Sequence, residues 1–348
     1  MTAPIDCSTL RPARRPLGTA LAGTALLLLA TAACAAESDP GALDGDADTV
    51  AIGEFEATAE YLQQAADRST AEGYRIDVLF SFDGEIDDDA PAMMTGEVEG
   101  DRFHYVMDMG TMLEQMADEL GEELPPELDG RDMSIEMAGD PETLYLRAPM
   151  FAELADGSAP GPVEQLAELG DGWGYVDAAA LGDQLPADLA AAVGGQGADP
   201  QVIVEMIQGA DDVTDLGSGE VRDTAVRGLS AEVTLAEMLE ASGQDPEALA
   251  DLGSLDGDES VAALYELTTP VEVWIDDDGY LRRMVFGYSF ADMVEAMGED
   301  PDELAGLGVP DLHFAYAVDM FDHGTTVDFE APDDAVDVTD AFAELVQA

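Results

Sequence analysis

The chain has 348 residues, with 77 Asp and Glu against 12 basic residues and a net charge of −65 at pH 7. Every basic residue is Arg and none is Lys, so the clustered cations that phosphate recognition needs are missing and nucleic-acid binding is excluded. Hydrophobic residues make up 47%, enough for a sizeable core rather than a disordered acidic tail, and two distant cysteines, Cys7 and Cys34, exclude a disulfide scaffold and a Cys-based zinc ribbon.

Residues 1–33 carry Arg11, Arg14 and Arg15 ahead of an uncharged run of small and apolar residues, 17–33. A basic segment, a short apolar segment and small residues before a cleavage point make an export signal. The run is short for a spanning helix, which needs about 20 residues. Thr31-Ala32-Ala33-Cys34 resembles a bacterial lipobox, with Thr31 where Leu is usual. That resemblance implies cleavage before Cys34 and a thioether-linked diacylglycerol with palmitate-type chains on it, which would hold the chain at the outer face of the cytoplasmic membrane. A plain cleaved signal and an uncleaved anchor helix are the alternatives. Loss of the signal leaves the body more acidic still. Such a charge repels itself unless salt screens it, so we expect adaptation to high external salt.

Residues 34–53 are Ala, Gly, Asp and Pro without a period and read as an acidic flexible tether; residues 54–348 read as one domain. Phe55, Ala59, Leu62 and Ala66 predict a short helix over 54–68. Tyr74, Ile76, Val78, Phe80 and Phe82 then alternate with polar residues, as on a half-buried strand. The alternation recurs at Phe103 to Met109, at Met133 to Met137, and at Leu144 and Leu146. Further strands are predicted at 212–218, 220–226, 228–235, 264–275, Met284 to Phe290, Leu312 to Met320, and Thr325 to Phe329. Asp276-Asp277-Asp278-Gly279 is a hairpin loop with Gly for the positive φ. The expectation is an α+β fold of about eleven antiparallel strands curling over a core.

Helical flaps interrupt the strands. Residues 233–253 and 288–308 share the pattern A-[DE]-M-x-E-A-x-G-x-D-P-x-x-L-A-x-L-G, each directly after a strand, and 106–130 is a looser copy. The Asp-Pro in each starts a helix, as it does at 199–208. These flaps are expected on one rim of the sheet.

Recognisable chemistry is scarce. His104, His313 and His323 have no metal spacing and read as surface or sheet-face residues. No nucleophile elbow and no phosphate loop is present, and an exported hydrolase lacks a nucleophile–base pair. Asp44, Asp46 and Asp48 begin like a calcium loop, but Thr49 and Phe55 stand where its Gly and Glu belong. No cofactor and no metal site is expected. Of the 16 Met, nine fall within 93–150. Met adapts to irregular apolar space, so these residues either fill a core or line an apolar cavity.

The order of motifs resembles a family. GWGYVD at 172–177, the helix after Asp199 with the strand through Gly219 and Glu220, Trp274-Ile275-Asp276 with Asp278-Gly279 and Arg282-Arg283, and FDHGTTVDFEAP at 321–332 are similar to the actinobacterial LolA-like lipoproteins, the group of mycobacterial LppX, LprA, LprF and LprG. The resemblance implies a curved half-barrel packed on helices, an apolar cavity between them, and acylated lipid bound or carried outside the cytoplasmic membrane without catalysis. The long flaps depart from the family pattern and would cap or fill that cavity. With strand alternation and Met adaptability, the candidate lining is Phe80, Phe82, Met107, Met109, Met133 and Met137. The rival expectation is an anchored interaction module with a filled core.

Overall fold

The computed structural model describes residues 59–82, 84, 86–88, 90–119, 132–154, 162–181, 200–210, 213–241, 263, 265–296 and 313–346. The signal, Cys34, the tether and most of each flap beyond its first helix lie outside the described residues.

The strands are β1 (Tyr74–Ser81), β2 (Met94–Glu99), β3 (Arg102–Asp108), β4 (Ser134–Gly139), β5 (Thr143–Arg147), β6 (Gly174–Asp177), β7 (Val213–Val221), β8 (Thr224–Thr234), β9 (Thr268–Asp276), β10 (Leu281–Ser289), β11 (His313–Phe321) and β12 (Val336–Asp337). They form one open 12-stranded sheet in the order β12-β6-β5-β4-β3-β2-β1-β11-β10-β9-β8-β7. All neighbours are antiparallel except β12, which runs parallel to β6. The helices are α1 (Ala59–Ala71), α2 (Met109–Glu119), α3 (Pro149–Leu154), α4 (Pro162–Ala167), α5 (Ala178–Leu181), α6 (Pro200–Gly209), α7 (Leu235–Ala241), α8 (Phe290–Ala296) and α9 (Thr339–Val346).

Alternation decides the inner face. Tyr74, Ile76, Val78 and Phe80 of β1, Phe103, Tyr105 and Met107 of β3, and Val271, Val273 and Ile275 of β9 all enter one core cluster. Helix α1 contributes Leu62, Ala65 and Ala66, which recur at helical spacing on one stripe. Its Ser69 hydroxyl caps this contact, donating to the Ala65 carbonyl at 2.7 Å and accepting from the Leu281 amide at 2.8 Å. Helix α6 buries Val202, Ile203, Val204, Met206 and Ile207 against α1 and β8.

The two rims differ. Strands β1, β3, β5, β8 and β10 run in one direction. Four of them lead at once, or after one residue, into helices α2, α3, α7 and α8 on the rim where they end, the upper rim. Hydrogen bonds fix these starts: Asp108 accepts from the Gly110 and Thr111 amides, Thr234 and Glu237 form a reciprocal capping box, and Ser289 accepts from the Asp292 amide. The repeat units therefore begin on one rim, as their sequence predicted. The lower rim carries tight turns. Arg222 and Asp223, at φ 49° and 61°, form the two-residue turn between β7 and β8. Gly279, at φ 80°, closes the predicted β9–β10 loop, where Asp276 accepts from the Asp278 and Tyr280 amides.

Some boundaries differ from expectation. The three strands predicted between 212 and 235 are two, β7 and β8. Gly219, left between two expected strands, lies inside β7, and the Trp274 ring covers both it and Gly228: a Cβ there would fall 2.6 Å and 2.7 Å from the indole. Residues 325–329 are not a strand. They belong to an extended strap, 322–335, that crosses the outer face. Val327 and Asp328 donate their amides to Glu99 and Glu97, and Arg102 donates to the Phe329 carbonyl. Strands β2 and β6 were missed, since Thr95-Gly96-Glu97 and a four-residue segment give too little alternation.

Candidate functional site: the inner face of the sheet

The six candidate lining residues share the one core cluster. Phe80 sits in a cross-strand row with Tyr316 and Phe286. The Phe80, Phe82 and Phe314 rings form a triangle with centroids 4.8, 5.6 and 5.9 Å apart. Two residues further down, a second row runs Val78, Met94, Met107, Ile135 across β1 to β4. Met109 and Met133 top the β3–β4 pair, joined by a Met109 amide to Met133 carbonyl bond of 3.2 Å. Met137 lies lower, between Tyr105 and Leu146. Phe80, Met107, Met109 and Met133 are buried, whereas Phe82 and Met137 keep part of their surface open.

Sequence reasoning missed the rest of this surface. Phe314, Tyr316 and Tyr288 stand on β11 and β10 beside the phenylalanines, and Met94 and Ile135 lie beside Met107; all are partly accessible. Burial pushes the Tyr288 phenol up to about 12 and the Tyr316 and Tyr105 phenols well above their ordinary value. The signal for the tyrosines was present, since Tyr288 and Tyr316 share stripes with Phe286 and Phe314. Met94 was hidden by the weak pattern of β2.

This surface is apolar with neutral hydroxyl groups. The buried charged residues lie elsewhere. Asp276 is in the β9–β10 turn, and the Arg283–Asp319 pair, with N–O distances of 2.6 and 2.9 Å, is on the outer face. Arg222, from the lower-rim turn, also reaches Asp319 and Asp77 and lies 4.0 Å over the Phe321 ring. The motifs that carry the family resemblance are architectural. Trp274 fills two glycine gaps, His323 stacks on Tyr280 at 4.3 Å, and Trp173 packs on Phe329 at 5.4 Å. No described helix is long and apolar enough to cross a membrane, and no group of three or more His, Cys, Asp and Glu among the described residues could hold a metal ion.

No protein-family model matches the chain and no curated protein matches it. Among solved structures, the chain is similar to LprF from Mycobacterium bovis, at 11% identity and a TM-score of 0.38, covering 79% of this chain and 96% of that one. It is similar also to the Mycobacterium tuberculosis lipoprotein LppX, at 9% identity and a TM-score of 0.38, covering 78% and 97%.

Proposed function

We propose that the chain is a membrane-anchored lipoprotein of the cell envelope that holds an apolar, acylated ligand against the inner face of its sheet, without catalysing a reaction. One observation carries the reading. Phe82, Phe314, Tyr316, Tyr288, Ile135 and Met137 face the interior but are not fully covered by protein, while burial holds Tyr288 and Tyr316 neutral. Acyl chain laid on this surface would gain about 25 cal/mol per Å² removed from water. The hydroxyls would orient an ester or hydroxyl of the ligand and offer no cation to a carboxylate. Anchoring through Cys34 rests on the lipobox-like segment and would place the body at the outer face of the cytoplasmic membrane. The second reading, an anchored interaction module with a filled core, draws on the burial of Phe80, Met107, Met109 and Met133.

Native mass spectrometry of the full chain taken from its own membranes separates the two. The expected result is a lipid adduct on the folded protein, lost in Met137→Trp with circular dichroism unchanged. A ligand-free mass in mild detergent, with no uptake of a fluorescent acylglycerol, would establish the filled core.

A further inference from the structure

A recess lies on the outer face of the sheet. Strand alternation sends Thr143, Tyr145, Tyr175 and Asp177 outward while Leu144, Leu146 and Val176 enter the core. Thr143 pairs with Asp177 and Tyr145 with Tyr175 across β5 and β6, which gives the recess a two-tyrosine floor. The strap supplies its lip through Pro332, Asp333 and Ala335 around an open volume of about 300 Å³.

The floor is preorganised. The Phe329 ring lies 5.6 Å from Tyr145 and is itself backed by Trp173. The Tyr175 hydroxyl donates to Asp337, whose carboxylate also accepts from the Thr339 amide at 3.0 Å. Rings held in this way lose little freedom when a ligand arrives. The charge of the lining is one-sided: Asp177 and Asp333 belong to it and no basic residue does.

We propose that this recess binds a small organic cation of the quaternary ammonium class. Carboxylates alone are common over this chain and would attract any cation. An aromatic pair between two carboxylates selects a weakly hydrated cation, because ring faces attract positive charge that sheds its water easily. A purely coulombic contact fades as the Debye length falls to about 3 Å in 1 M salt, whereas contact with the rings does not. The proposal is independent of the lipid reading, since the two surfaces lie on opposite faces.

The test is calorimetric titration of the full chain in non-ionic detergent with choline in 1 M NaCl. The comparison ligand is 3,3-dimethyl-1-butanol, the neutral isostere of choline. Saturable choline binding is expected with none for the isostere. Tyr145→Ala should weaken it about tenfold, Asp333→Asn should weaken it less in 1 M than in 0.05 M NaCl, and Tyr145→Phe should stay within about twofold of the parent. A parallel arm measures capture of phosphatidylcholine against phosphatidylglycerol nanodiscs by the same variants. Tyr145-dependent capture that choline competes away would assign the cation to a lipid headgroup, and binding of choline alone would assign it to a free solute. Absence of both, equal binding of the isostere, or indifference to the variants would overturn the proposal.

Discussion

His323 has both ring nitrogens buried without a hydrogen-bond partner, stacked on Tyr280 with Tyr74 at 6.1 Å. Burial is the main cause of its depressed pKa, about 4. Arg282 lowers it further, and Asp276 and Asp322 oppose. The imidazole is thus neutral when folded and takes a proton more readily when unfolded. Its contribution to stability is complete above pH about 6.5 and is lost as pH falls toward about 4, by about 1–2 kcal/mol once solvent screening of the half-buried ring is allowed for. Urea unfolding of His323→Phe should lose that much of the parent's pH dependence within this window while keeping the ring stack. Equal slopes for the two proteins would refute the assignment. This residue also marks a limit of sequence reading. A His two residues past a strand looks like any exposed His, and its burial comes from Tyr280 in a hairpin more than 40 residues upstream. That Phe80, Phe82 and the methionines turn toward the core was legible because they repeat every second residue within one segment.

At the scale of elements, Gly219 fell in a gap between two expected strands but lies inside β7, with Gly228 inside β8 beside it, both under Trp274. A glycine in a strand weakens alternation and suggests a turn. Here the missing side chains make room for an indole from the neighbouring strand, whose ring nitrogen donates to Glu272 at 3.1 Å. Gly228→Ala would set a Cβ 2.7 Å from that ring, and we expect a loss of about 1–3 kcal/mol, the usual cost of overpacking. Chemical denaturation would measure it; an unchanged midpoint would mean that the ring moves freely. Flap starts were easier to read, because Asp108, Thr234 and Ser289 are N-cap residues and each is followed by helix-forming sequence. The strap was not, since its fixing bonds come from Glu97, Glu99 and Arg102, far away in the chain.

For the whole molecule, seven of the eight described arginines are ion-paired. Arg75 pairs with Glu97 and Asp322, Arg102 with Glu99, Arg147 with Glu136, Arg227 with Asp215, and Arg282 with Asp276. Arg283 and Arg222 converge on Asp319, and Arg68 lies 5.1 Å from the Tyr280 ring centroid. These partners use up the described cations and leave most of the 77 carboxylates to counter-ions. The melting temperature should therefore rise by at least about 10 °C between 0.05 M and 2 M NaCl, as screening relieves self-repulsion. A flat salt profile in differential scanning calorimetry would exclude salt adaptation.

The division of labour between the rims has a consequence for how such a chain can change. Tight hairpins set the register of β2–β3, β4–β5, β7–β8 and β9–β10 from below, so lengthening one there would shift a whole row of side chains to the wrong face. Above, four of the five ascending strands hand the backbone to a helix, and residues added beyond it leave the ladder untouched. Extra sequence can therefore accumulate along the upper rim, so diversification would remodel that edge and preserve the sheet below it.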